Sequence, residues 1–310
     1  MGENLIAFFL IMAGGVFFKW KKPGGLEPDN ARHVINTIAM NFFLPALCFK
    51  VIATAPIDKN TILLPVSAII TILSSLLFSY AVYSLMEKFI RISKKEKGVI
   101  ILTASFGNVT FLGLPIMTSL YGNEAARYVL LYDLLATTPL LWFVGASIAS
   151  SYGSGQKFTA KDSLKTLAKL PSIWALIAGF AVNIAGIALP RFAVKTLDLL
   201  SMPIVPLMMF SVGLALGIPK LKQALTVTPG IIIKLCVSPL IAFAAVSLLG
   251  MHGLAFKVSV MEAALPTMIL TLVIVSQYKL DHELAALMIL ITTAMSFISL
   301  PVVSFLIRNF

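Results

Sequence analysis

Between Gly98 and Tyr121 the chain is apolar for long enough to cross a bilayer. The middle of that run reads Ser105-Phe106-Gly107-Asn108-Val109-Thr110-Phe111-Leu112-Gly113-Leu114-Pro115. Glycine has no side chain to restrict the backbone, and proline lacks an N–H and clashes with the preceding turn, so this stretch weakens a helix where one is needed. Backbone groups freed in hydrocarbon cost several kcal/mol each, and a break survives only where protein or a cavity shelters it. Two readings fit. One is a proline kink in a continuous span. The other is a pair of half-helices meeting at a binding site near the membrane midplane, and it predicts a second break in the second half of the chain.

Composition agrees with a membrane setting. The chain is 59% apolar and 12% charged, with a mean hydropathy of +0.96. Ordinary globular domains are about 45–50% apolar and 25% charged. The 310 residues accommodate about ten spans with short loops and no soluble domain. Asn4 to Phe18 is apolar but lies between Glu3 and the lysines at 19, 21 and 22, without a small-residue cleavage site, so the first helix is expected to be retained. The net charge of +11 does not imply nucleic acid, because the basic residues lie in short loops where they face anionic headgroups. Cys48 and Cys236 both fall in apolar spans and read as small fillers.

The expected spans are 3–19, 31–53, 60–87, 96–121 (broken at 107–115), 124–150, 171–189, 193–217, 228–250, 254–278 and 282–308. A connector, 152–170, separates a first five-helix repeat, 1–151, from a second, 171–310. The loops after odd-numbered spans hold sixteen of the 24 Lys and Arg, including Lys88, Arg91, Lys94, Lys95 and Lys97 after the third and Lys220 and Lys222 after the seventh. Seven lie on the other face, which puts the odd loops in the cytoplasm and both termini outside. Lysines outnumber arginines nineteen to five and the loops are minimal, in keeping with a bacterial inner membrane. Lys157, Lys161, Lys165 and Lys169 recur every four residues, so the connector is expected to form an amphipathic helix on the cytoplasmic leaflet.

The two halves echo each other. Asn41 to Phe49, with Pro45, aligns with Met202 to Phe210, with Pro206; Ser119-Leu-Tyr121 aligns with Ser276-Gln-Tyr278; and threonine pairs stand at 137–138 and 292–293. Five spans is an odd number, so the second copy enters from the opposite side, giving an inverted repeat. The ninth span contains Glu262-Ala-Ala-Leu-Pro266, the second break that the half-helix reading requires.

Gly107-Asn108-Val109-Thr110-Phe111-Leu112-Gly113-Leu114-Pro115 resembles the Gly-Asn-x-x-Phe-Leu-Gly-Leu-Pro motif of the auxin efflux carrier family. Glu262-Ala-Ala-Leu-Pro266 with Tyr278 resembles its Gln-Ala-Ala-Leu-Pro segment and later tyrosine. The resemblance covers the whole chain. It implies an all-α integral membrane fold of ten helices, with crossed broken helices 4 and 9, like sodium–bile acid symporters and sodium–proton antiporters. It also implies a scaffold domain of helices 1, 2, 6 and 7, a transport domain of helices 3–5 and 8–10, and a homodimer. The chain departs from the plant members in its short connector and in having Glu262 where they have Gln.

Half-helix N-termini suit an anion, and half-helix C-termini suit a cation. The second half-helices are expected to start near Phe111 and Thr267, so a small carboxylate would meet Asn108, Val109, Thr110, Pro115, Leu265, Pro266 and Thr267. Glu262 is the leading cation-coupling residue, since an ionisable group within a span is functional by default. Asp133, with Thr137 one turn on, is either a second coupling group or a structural hydrogen-bonding acid. Asn108, Asp133, Thr137 and Glu262 together offer oxygen ligands for Na+. Lys234 is expected to snorkel to the headgroups, with a counter-ion role for Glu262 or the substrate as the alternative. No phosphate loop, nucleophile–base set or other cofactor motif is present. The expectation is a secondary transporter, not an enzyme, carrying a mono- or dicarboxylate such as malonate or malate with Na+ or H+. The alternatives are an uncoupled, potential-driven carrier of an auxin-like acid, a Na+/H+ antiporter, and a sensor signalling through the connector.

Overall fold

The computed structural model describes residues 2–215 and 224–310. Lys220, Lys222 and the expected end of the seventh span at 217 lie outside them. Among the described residues the chain is helical and has no strand, only one isolated backbone bridge. We number the helices α1 (Gly2–Lys21), α2 (Pro28–Thr54), α3 (Asn60–Met86), α4 (Lys94–Thr103), α5 (Val109–Tyr121), α6 (Ala125–Tyr152) and α7 (Ala160–Ala168). There follow α8 (Pro171–Ile184), α9 (Arg191–Ala215), α10 (Thr226–Leu248), α11 (Gly253–Ala264), α12 (Thr271–Gln277) and α13 (His282–Leu306). Six of them, α2, α3, α6, α9, α10 and α13, are long and apolar enough to cross a membrane. With α7 and α8, which bend by 66° at their junction, they make this a multi-pass, all-helical membrane protein.

The helices form two compact units, neither continuous in sequence. The first comprises residues 1–57, 110–130 and 166–217. Within it α1 and α9 pack backbone to backbone. A Cβ on Gly15 would lie 2.3 Å from the Phe210 carbonyl oxygen, and one on Gly213 only 2.1 Å from that of Met12. Such contact through small residues is how helices associate where lipid removes the hydrophobic drive. The end of α2 is tied to α8 by Asn183, whose amide donates to the carbonyls of Ile52 and Ala55, both at 2.7 Å. These carbonyls belong to the helix end that has no internal partners. Lys50 pairs with Asp198 in the same unit.

The second unit comprises residues 58–109, 131–165 and 218–310. Its polarity is the reverse of a soluble protein's. Along α3, Ser67, Thr71, Ser75, Ser79 and Tyr83 recur every four residues and are all buried, while Ile62 and Leu77 face outward. The buried hydroxyls join helices. Ser67 Oγ and Ser259 Oγ are 2.8 Å apart, and Tyr83 donates to the Thr226 carbonyl at 2.6 Å and accepts from Gly230 N at 2.9 Å. At the membrane edge α4 opens with a capping box, Ser93 Oγ accepting from Glu96 N while Glu96 accepts from Ser93 N.

A second regularity comes from proline. The described helices contain wide π turns at Ala39–Phe43, Val109–Gly113, Asp133–Thr137, Leu141–Gly145 and Ile233–Val237. In four of these, a proline follows the turn's last residue by two positions: Pro45, Pro115, Pro139 and Pro239. A proline ring crowds the carbonyl four residues back and cannot bond to it; widening the preceding turn moves that carbonyl aside. The turn thereby shifts which side chains share a face, and this positions two residues of the site.

Candidate functional site

Both predicted breaks are present, and in the second unit they are joined. The segments 104–108 and 265–270 run antiparallel through a bridge between Gly107 and Thr267. Asn108 N donates to the Pro266 carbonyl at 2.8 Å, and Met268 N to the Phe106 carbonyl at 2.9 Å. Each break thus supplies hydrogen-bond partners for the other, which meets the backbone requirement inside a membrane. The first break lies earlier than the 107–115 read from sequence, at 104–108. Residues 109–113 are already helical, because the wide turn accommodates Pro115 without unwinding. Likewise α12 starts at Thr271, four residues beyond the expected Thr267.

The helix ends at the breaks differ in how they are satisfied. The last carbonyls of α4 all meet neutral donors. Ile100 accepts from Ala104 N at 2.9 Å and Leu102 from Phe106 N at 3.2 Å. Ile101 accepts from Ser105 Oγ at 2.8 Å, and Thr103 from Thr267 Oγ1 at 2.7 Å. At the end of α11, Glu262 O accepts from Leu265 N at 3.3 Å, but Ala263 O accepts from the Lys234 ammonium at 2.7 Å.

Lys234 therefore does not snorkel. It is 1% exposed and turns inward from α10 to the second break. It lies in the wide turn Ile233–Val237 ahead of Pro239. Glycine at 107 permits the close approach of the two breaks, since a Cβ there would sit tightly, 3.1 Å, against the Glu262 carbonyl oxygen and in ordinary contact, 3.5 Å, with Nζ.

Two polar side chains at the breaks have no hydrogen-bond partner among the described residues. They are Asn108, at both amide atoms, and Glu262, at both carboxylate oxygens; each residue is 1% exposed. Glu262 interacts electrostatically with both Asp133 and Lys234, and also with Tyr132. Asp133 is buried and accepts from Thr138 Oγ1 at 2.9 Å. The hydroxyl on its face is thus five residues on, not four, because the intervening turn is wide. Thr137 instead donates to the Tyr132 carbonyl at 3.2 Å. Thr292, on α13, accepts from Thr267 N at 3.1 Å.

Of the residues read from sequence, Asn108, Val109, Glu262, Leu265, Pro266 and Thr267 lie on or beside the paired segments, and all are buried. Thr110 and Pro115 are buried past the break, in α5, where the chain has entered the first unit. The inward placement of Lys234 corresponds to the alternative reading of the sequence, not the leading one, and the roles of Thr138 and Thr292 were not read from it. A lysine five residues before a mid-span proline, and one of each threonine pair, were the available signals. Among the described residues no three or more His, Cys, Asp or Glu group together as a metal site. The oxygens of Asn108 and Glu262 are of a kind that suits a small cation, and a positive charge on Lys234, which acts on Glu262, opposes one.

Comparison with known proteins places the chain among membrane transporters. A sequence profile of a family described as membrane transport protein matches residues 1–304. The chain is 29% identical to an uncharacterized transporter of Methanocaldococcus jannaschii, over all of this chain and 99% of that one. It is 26% identical to a candidate malonate transporter of Rhizobium meliloti, over 91% of this chain and 89% of the relative. Over 50% of this chain and 37% of the relative it is 26% identical to a candidate auxin efflux carrier component of Oryza sativa. All three are named as transporters and none as an enzyme.

Proposed function

The chain belongs to the membrane transport protein family, the family of the auxin efflux carriers, and we propose that it is a cation-coupled carrier of a small organic anion. The observation that carries this reading is the pair of joined helix breaks holding two buried, unpartnered groups, Asn108 and Glu262. An amide with free donors suits a carboxylate. A buried carboxylate without hydrogen-bond partners needs a compensating positive charge from a proton, a metal cation or an ammonium, and where a proton or metal cation supplies it, substrate binding is coupled to that cation. The relative named for malonate supports a mono- or dicarboxylate of that size. In this reading the ten expected spans form two inverted repeats. The unit containing the breaks is the transport domain, the other is its scaffold, and alternating access exposes the breaks to each side. The lysine and arginine bias supports a cell-membrane orientation with both termini outside.

The test is substrate-induced current from purified protein in proteoliposomes on a solid-supported membrane. Malonate, malate and an auxin-like acid are applied with and without Na+ at two pH values, to the native chain and to Glu262→Gln. The expected result is a carboxylate current that needs Na+ or low pH and loses that requirement in Glu262→Gln. A current needing neither cation, and unchanged by the substitution, would make this an uncoupled carrier.

A further inference from the structure

We propose that Lys234 is a tethered cation, occupying the coupling-ion position at the end of α11 so that this carrier works without Na+. The inference rests on the transport reading above and selects between its two coupling ions. The C-terminal end of a half-helix carries partial negative charge and carbonyls without internal partners, which is why carriers built on broken helices bind cations there. The two breaks of this chain provide an internal comparison. At α4 a hydroxyl, Thr267 Oγ1, reaches the Thr103 carbonyl; at α11 an ammonium, Lys234 Nζ, reaches the Ala263 carbonyl. The chain thus places a lysine amine at one end and a neutral hydroxyl at the other.

Three further observations point the same way. Lys234 is buried, and it interacts electrostatically with Glu262, whose carboxylate oxygens are buried without hydrogen-bond partners among the described residues. Asp133, the other acid acting on Glu262, receives the hydroxyl of Thr138. Gly107, on the opposing segment, lies beside Nζ, which is 3.5 Å from where a Cβ on that glycine would be. A Na+ seeking the same carbonyl and the same carboxylate would stand beside the ammonium with little water to screen the repulsion. Remove the ammonium, and the Ala263 carbonyl and the vacated space suit a small free cation, which the negative charge of Glu262 would favour.

Two readouts test this. The first is thermal unfolding of detergent-purified protein, without substrate, in sodium, choline or methylammonium chloride at equal ionic strength. The native chain is expected to melt alike in all three. Lys234→Ala is expected to melt lower in choline and to recover in sodium or methylammonium. Lys234→Met, whose side chain fills the space, is expected not to recover. The second is malonate uptake into proteoliposomes. Native uptake is expected to be the same with and without Na+, while Lys234→Ala falls about tenfold or more in choline and is largely restored by either small cation. A sodium-specific stabilisation of the native chain, or native uptake that requires Na+, overturns the proposal. So does a Lys234→Ala protein that neither cation restores. If the variants do not fold, the native comparison decides. Failure of the native chain to move any carboxylate would instead defeat the transport reading, and the unfolding series would still decide the role of Lys234.

Discussion

Asn108 has an amide that could make several hydrogen bonds and makes none with its side chain among the described residues. If it meets the substrate carboxylate, Asn108→Ala removes one or two bonds to a charged group, about 1–3 kcal/mol in all. Apparent KM for uptake should then rise roughly ten- to a hundred-fold. Asn108→Asp, which sets a like charge against the substrate, should be worse, and an unchanged KM in both would remove Asn108 from the binding site. The threonines beside Asp133 separate more finely. Thr138→Val deletes the hydroxyl on Asp133 Oδ1, whereas Thr137→Val deletes only a long bond to a backbone carbonyl. Thr138→Val should lower thermal stability by about 1–3 kcal/mol, and Thr137→Val by about 1 kcal/mol or less; the reverse order in unfolding measurements would mean that the face is set by ordinary helical spacing. At this scale the sequence was legible where chemistry is out of place. An acid in an apolar span, and an asparagine between two glycines, announce themselves without knowledge of their partners. Lys234 was misread because its position along a span suggests a route to the headgroups, while its direction depends on a turn whose width is set by Pro239. Thr267 was placed at the site, but its bond to the Thr103 carbonyl joins residues 164 positions apart, which no local pattern reveals.

Helices in this chain are shaped by what they lack. Each of four prolines follows a wide turn, and the turn ahead of Pro239 contains Lys234. Pro239→Ala restores an N–H and removes the ring clash, so an ordinary turn becomes available. Relaxing the turn would carry Lys234 away from the Ala263 carbonyl. The expected outcome is normal expression, with melting temperature lowered and uptake reduced about tenfold or more in choline, as for Lys234→Ala. Full uptake would mean that packing, not the ring, holds the turn open. Where α1 crosses α9 the deficit is a side chain. A Cβ on Gly213 would overlap the Met12 carbonyl, and one on Gly15 the Phe210 carbonyl. Overpacking of this kind costs about 1–3 kcal/mol or more, so Gly213→Ala should lower the melting temperature measurably. The double variant with Gly15→Ala should cost less than the sum, because either change already separates the same two helices. Helix positions were legible to within a few residues because apolar runs and charged loops alternate so sharply. The π turns and the earlier start of α5 were not, since a proline in sequence reads equally as a kink, a break or a widened turn. The every-fourth hydroxyl stripe on α3 also passed unnoticed, because serine and threonine are unremarkable residues until hydrocarbon surrounds the helix.

Neither compact unit is a continuous stretch of chain. Each takes segments from both sequence repeats, and the chain passes between them five times, after residues 57, 109, 130, 165 and 217. The packed units thus cut across the two halves expected from the sequence, and no spacing rule predicts that regrouping. This gives a prediction about assembly. In the segment joining the two halves, Gln156 and Lys157 are both exposed. Just before it, Ser154 N and Gly155 N both donate to the Tyr278 carbonyl, at 3.1 and 3.2 Å, so residues either side of a cut at 156–157 would still be held by contacts within the second unit. A half chain ending at Gln156 contains neither unit whole. Its helices would expose to lipid the buried hydroxyls of Ser67 and Ser75, which meet Ser259 and Ser238 of the other half. Expressed alone, each half should be degraded. Expressed together, the two should co-purify and transport at a rate within about tenfold of the intact chain, because the loop closure they lack contributes only modestly beside the contacts they regain. Accumulation of a stable, monodisperse first half by itself would show that the sequence repeat, and not the regrouped unit, is what folds.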